Sequence, residues 1–148
     1  RNIQKMNLHT PEVSEFSAVI AKELKVRKII KIFQKKYVEQ KKTIVLEGRD
    51  MSKIFHNADV KFFVVCKPLK IAAKRRWLQL KNSKKNISLN QVLKDLKKRD
   101  FMDRNRKHSP LERDQESVYI NTAKLKIKDV LDKMSKIIGK RLKNKYGS

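Results

Sequence analysis

A chain of 148 residues has room for one domain around one core. It carries 39 Lys and Arg against 15 Asp and Glu, a formal net charge of +24, which draws in polyanions unless the surplus is the imprint of a coding bias toward Lys, Ile and Asn. A lone cysteine, Cys66, excludes an internal disulfide, and no apolar run approaches the roughly 20 residues of a membrane helix, so a reducing cytoplasm is the expected compartment. The lysines are spread along the chain and the aromatics are not interleaved with them. Contact with nucleic acid is therefore expected to be non-specific only.

The first element is a helix opened by Thr10, Pro11 and Glu12, with Val13, Phe16, Ile20 and Leu24 at helical spacing. A second helix follows from Val26, striped by Ile29, Ile30, Phe33 and Tyr37. Residues 43–47 change character: β-branched and apolar, then broken by Gly48, they predict a short buried strand. A second such run covers 60–66 and stops at Pro68.

From Lys70 the spacing predicts a helix with Ala72, Ala73, Trp77 and Leu80 inward, so that Trp77 belongs to the core or the base of a lid. Turn-formers at 82–87 make a linker. Ser88 and Gln91 then form a capping-box pair ahead of Val92, Leu93 and Leu96. A third strand is expected over 117–121, and a last helix from about Lys126. That helix is striped by Ile127, Val130, Leu131, Met134, Ile137, Ile138 and Leu142. Strands alternating with helices indicate α/β with a parallel sheet, in which ligands bind beyond the carboxyl ends of strands. Arg49 and Asp50 follow directly on one such end.

The stretch "KRDFMDRNRKHSPL", 98–111, is the densest in charge. On one helix, Arg99, Asp103 and Arg106 fall at i, i+4 and i+7 and share a face, with Arg104 turned away. Two guanidiniums flanking a carboxylate suit a bidentate grip on phosphate, with the carboxylate left to a ribose hydroxyl. The same face also fits an ordinary solvated charge run. His9, His56 and His108 show no metal-ligand spacing with one another or with Cys66. Glu47 reads as a strand-end partner for an arginine.

"LEGRDM", "ADVKFF", "IAAKRR" and "KKRDFMDRNRKHSPL", in this order and spacing, resemble the bacterial cytidylate kinases. The likeness runs from about Pro11 to the final helix. It implies a P-loop nucleoside-monophosphate-kinase-like parallel sheet with flanking helices, incomplete at the N-terminus. It also implies transfer of the γ-phosphoryl of ATP to CMP or dCMP. Within a single domain fragment, about 10–48 would form the monophosphate-binding helices and strand, 75–106 the lid region, and 117–148 the C-terminal strand and helix.

The resemblance also carries roles. Arg49 is similar to the arginine on the CMP phosphate, Asp50 to the aspartate that reads the cytosine amino group, and Arg27 to an arginine near the base. Arg99 and Asp103 resemble the pair on the sugar and adjacent phosphate, and Arg106 a further phosphate arginine. The family's cytosine-contacting serine falls on Ala18, with Ser17 adjacent. Arg75 and Arg76 resemble the start of the lid on the ATP side. Lid closure would keep water from the transferred phosphoryl. ATP would arrive with Mg2+, with no protein metal ligand assigned, and the intact enzyme is expected to be a monomer. In-line positioning and converging arginines are the expected apparatus; no general base stands out and none is required.

The chain also departs from the family pattern. None of its three glycines, Gly48, Gly139 and Gly147, opens a phosphate-cradling loop followed by Lys and Ser or Thr. Ser52-Lys53 stands where Gly-Thr is usual after "GRDM", and His56-Asn57 where Pro-Asp is usual. The chain does not begin with Met, and a chain without the P-loop is expected to be inactive alone. The rival readings are a basic nucleic-acid-binding module, a degenerate kinase remnant, and a monophosphate kinase with another base preference.

Overall fold

The computed structural model describes residues 11–21, 23–82 and 87–147. The Thr10 cap, His9, the Ala18 side chain and residues 83–86 of the expected linker lie outside that description. The chain divides into two compact units: Arg1–Ile54 with Arg99–Leu111, and Phe55–Lys98 with Glu112–Ser148.

The first unit holds α1 (Pro11–Ile20), α2 (Leu24–Glu39), the short α3 (Met51–Ile54) and the second half of α5 (Leu89–Asn105). The expected stripe of α2 has the right period but is not covered among the described residues. Ile29, Ile30, Phe33 and Tyr37 are all about half exposed or more, and the helix has no buried residue. Phe16 of α1 is likewise exposed.

The strand expected over 43–47 does not form. This segment has no ladder partner among the described residues, and Val45 is 92% exposed. Strand structure requires a neighbour to receive its backbone groups, so β-branched composition alone does not produce it. The described residues thus contain two strands rather than three. Gly48 stands where a Cβ would meet the Met51 side chain at 2.7–2.8 Å, so the 48–51 turn closes over space that glycine leaves.

The second unit is built on a parallel pair, β1 (Phe62–Val65) and β2 (Val118–Asn121), with Phe62 opposite Val118 and Val65 opposite Asn121. Ile120, fully buried, is its largest enclosed side chain. The helix α4 (Leu69–Asn82) turns Ala73 and Leu80 onto Val92 of α5, with Trp77, Ile87, Leu93 and Leu96 packed around them. Trp77 thus packs, partly buried, against this core, one of the two places read from the sequence, and its indole N–H donates to the Ile87 carbonyl at 2.9 Å. Ser88 caps α5 by accepting from the Gln91 N–H at 3.1 Å, while the Gln91 side chain turns to Asp95 at 2.7 Å. Half of the expected capping box is therefore present.

The last helix, α6 (Ile127–Tyr146), begins with Asp129 accepting from the Lys126 N–H at 2.9 Å and ends at Gly147 in the left-handed region, φ 71°. Its stripe is half-buried except at the exposed Ile127 and Leu131. Two polar anchors tie this unit together. Lys61, nearly buried, donates to Asp114 at 3.2 Å and Glu116 at 2.6 Å. The Asn121 side chain brackets Lys67, accepting from its N–H and donating to its carbonyl, both at 3.0 Å.

Candidate anion site in the first unit

Six of the residues singled out from the sequence meet within the first unit. Asp103, on the last turn of α5, is their centre, with a side chain only 8% exposed. Arg49 Nε lies 3.4 Å from its Oδ2 and Arg99 Nε 4.0 Å, while Arg106 Nη1 lies 3.7 Å from its Oδ1. Asp50 is the second carboxylate. Arg27 donates to its Oδ2, and Arg106 Nη2 lies 3.7 Å from its Oδ1. Arg106 therefore stands between the two carboxylates, and its side chain is only 5% exposed.

Local structure explains how these groups arrive. Arg99 and Asp103 lie one turn apart on α5, as the spacing predicts. Arg106 does not sit on that helix, which ends at Asn105; it is the first residue beyond. It still reaches the cluster because the chain folds back: the Leu111 N–H donates to the Asp103 carbonyl at 2.8 Å, and Arg106 Nε donates to the Ser109 carbonyl at 2.6 Å. Arg27 is steadied by the Ala21 carbonyl at 3.1 Å, at the break between α1 and α2. Asp50 opens α3, its carbonyl accepting from Lys53 and Ile54. Arg104 turns outward, as expected, to Asp100 at 2.8 Å.

The electrostatics favour an incoming anion. Among the described residues, four guanidiniums face two carboxylates, so positive charge is in excess there. Burial, and next the charge of Arg27, pull the Arg106 guanidinium below its ordinary value, and the two carboxylates oppose this. An arginine stays charged under such a pull. Arg106 Nη2 and Asp103 Oδ2 are buried and have no hydrogen-bond partner among the described residues. Their charged neighbours stand 3.4–4.0 Å away, too far for good hydrogen bonds. Leaving a buried charged group without such a bond costs more than about 1–3 kcal/mol.

The remaining candidates lie elsewhere. Ser17, on α1, is exposed and donates its hydroxyl to the Val13 carbonyl at 2.6 Å, so its described bond lies within its own helix. Arg75 and Arg76 belong to the second unit, midway along α4. Arg75 donates to the carbonyls of Thr122, Ala123 and Leu125 at 2.9–3.3 Å, tying α4 to the loop after β2. Arg76 reaches Gln79 at 3.5 Å. No three His, Cys, Asp or Glu converge as a metal site among the described residues. No helix among them is long and apolar enough to cross a membrane. Sequence reading missed Ser109, whose part is played by its backbone carbonyl, and the Lys61–Asp114–Glu116 anchor, in which no residue carries a motif.

The chain matches the cytidylate kinase family over residues 1–140. It is 36% identical over 135 residues to the cytidylate kinase of Clostridium botulinum strain Loch Maree, covering 90% of this chain and 59% of the relative. It is 33% identical over 135 residues to that of Geobacter sulfurreducens, covering 90% and 57%. To that of Clostridium tetani it is 34% identical over 132 residues, covering 88% and 58%. The chain spans somewhat under three-fifths of the length of these relatives. A match to the family over residues 1–140 places this chain in the cytidylate kinase family.

Proposed function

We propose that these residues form the monophosphate-binding part of a kinase that moves the γ-phosphoryl of ATP to CMP or dCMP. One observation carries this reading: Arg49, Arg99 and Arg106 converge on Asp103 with positive charge in excess among the described residues, and a buried guanidinium nitrogen of Arg106 has no hydrogen-bond partner among them. A nucleoside monophosphate supplies the missing charge as a phosphate close to dianionic at neutral pH. Arg49 and Arg106 hold the phosphate, and Arg99 with Asp103 spans the sugar and the adjacent phosphate. Asp50, fixed from both sides by Arg27 and Arg106, accepts from the cytosine amino group. Contact of Asp103 with the 3′ hydroxyl would admit a 2′-deoxy sugar. Ser17, beside the position of the family's cytosine-contacting serine, would complete the base pocket.

The work asked of these side chains is positioning and charge neutralisation rather than covalent chemistry. The arginines orient the acceptor phosphate for in-line attack and stabilise charge on the transferred group. Mg2+ travels with ATP as part of that substrate. Arg75 and Arg76 are assigned to the ATP side. The 148 residues include no glycine-rich loop to cradle ATP phosphates, so this chain binds the acceptor but does not turn over by itself. The reading places its action in the cytoplasm, on CMP or dCMP and ATP, with the intact enzyme a monomer and nucleic acid held only loosely by the basic surface.

Equilibrium titration with CMP, dCMP, UMP and AMP in parallel tests it. CMP and dCMP are expected to bind at least about tenfold more tightly than AMP, a discrimination of about 1.4 kcal/mol from base contacts. Equal affinity for all four would remove the cytidine assignment and leave only a phosphate site.

A further inference from the structure

Ser109 has φ 49°, the one non-glycine residue with a positive φ among those described. A β-carbon in that left-handed region meets the following carbonyl, at a cost of roughly 1–2 kcal/mol, and Pro110 crowds the residue before it further. Conformations of this kind persist where the surroundings hold them. Here the holding contact is visible: the Ser109 carbonyl accepts from Arg106 Nε at 2.6 Å. The turn is closed on its far side by the Leu111 N–H on the Asp103 carbonyl at 2.8 Å.

This bond fixes the plane of the Arg106 guanidinium. With Nε engaged by Ser109, Nη1 is directed toward Asp103 and Nη2 toward Asp50, and Nη2 is buried with no hydrogen-bond partner among the described residues. A guanidinium is a rigid planar fork, so fixing one nitrogen sets where the other two can donate. Beyond the helix end at Asn105, no α-helical backbone holds Arg106 in place.

We propose that Ser109 is a positioning residue: its left-handed backbone presents a carbonyl that locks the Arg106 guanidinium in the orientation that receives the acceptor phosphate. This rests on the monophosphate-binding reading above. The hydroxyl is not required; the backbone angle is. Glycine, which adopts positive φ without cost, preserves the device, and a β-branched residue, which resists it, disables it.

The test compares the wild-type chain with Ser109→Gly and Ser109→Val, each checked for folding by circular dichroism and thermal melt. Each is titrated with CMP and, separately, with cytidine, which lacks the phosphate. Ser109→Val is expected to weaken CMP about tenfold, because a β-branched residue resists positive φ more than serine does, and to weaken cytidine, which feels Arg106 only through Asp50, by a smaller factor. Ser109→Gly is expected to stay within about threefold of wild type for both. If Ser109→Val does not fold, Ser109→Thr, β-branched but still carrying a hydroxyl, is expected to weaken CMP in the same direction by a smaller factor. Where cytidine is too weak to measure, an Arg106→Lys background takes its place, and the Ser109 effect on CMP vanishes there.

Unchanged CMP affinity in folded Ser109→Val, or equal losses for CMP and cytidine, would overturn the positioning role while leaving the monophosphate site standing. A folded wild-type chain that does not bind CMP would overturn the site itself, and this inference with it.

Discussion

Arg27 and Arg106 hold opposite oxygens of one carboxylate, Asp50: Arg27 on Oδ2 by a hydrogen bond, Arg106 at 3.7 Å from Oδ1. The side chains of Asp50 and Arg106 are only 11% and 5% exposed, so little water stands in for a lost partner. Buried ion pairs of this kind gain little net stability over apolar packing, yet breaking one by removing a single partner is costly. Under the proposed reading these pairs are the resting form of a binding site rather than a stability device.

Asp103 gives the sharpest stability consequence. Asp103→Asn keeps the shape of α5 but removes the carboxylate shared by Arg49, Arg99 and Arg106. The chain is expected to lose about 1–3 kcal/mol, measured by urea denaturation. Inorganic phosphate, taking the vacated counter-charge, is expected to raise the melting temperature of the variant more than that of wild type. An equal response in both would mean the arginines do not act as an anion site.

Helix capping offers an independent check on the second unit. Ser88→Ala removes the acceptor for the Gln91 N–H and is expected to cost about 1 kcal/mol in chemical denaturation. Ser88→Asp, which caps equally well, is expected to restore that stability.

The Asp59–Lys145–Tyr146 group predicts a pH dependence. Asp59 accepts from Lys145 at 2.6 Å and from the Tyr146 hydroxyl at 2.8 Å, and these bonds, the lysine's first, hold the Asp59 carboxyl below its ordinary 3.8. A lowered carboxyl value contributes stability above the unfolded-state value, lost as pH falls through the folded one. Lys145 is held above its ordinary 10.5, chiefly by the Asp59 bond, so its share is lost only as pH rises beyond that. The stability difference between wild type and Asp59→Asn is therefore expected to be flat from about pH 5 to about pH 9 and to shrink below about pH 4. Because both side chains are about half exposed, the difference is also expected to fall in high salt. A difference that grows on acidification would contradict the assignment.

Periodicity showed the second unit well: Ala73, Trp77, Leu80, Val92 and Leu96 pack as their spacing implies. It misled in the first unit, for a physical reason. Helical spacing reports which residues share a face, not whether anything covers that face, and Ile29, Phe33 and Tyr37 share an exposed one. The 43–47 segment has strand composition but no paired neighbour among the described residues, and pairing is not a local property. In the candidate site, the residue types were legible because arginine and carboxylate spacing carries chemistry. The fold-back that delivers Arg106 was not, because it depends on the backbone angle of Ser109, which its side chain does not advertise.

The central claim is that the cluster around Asp103 receives the phosphate of CMP. Its most direct test is calorimetric titration of the folded chain with CMP at near-physiological salt, repeated with Arg106→Lys. A lysine keeps the charge but loses the planar fork between Asp50 and Asp103. The account predicts saturable binding to wild type, weakened about tenfold to a hundredfold by Arg106→Lys, the worth of one charge-assisted hydrogen bond or slightly more. No binding by a chain shown to be folded, or binding indifferent to Arg106 and steeply dependent on salt, would contradict it.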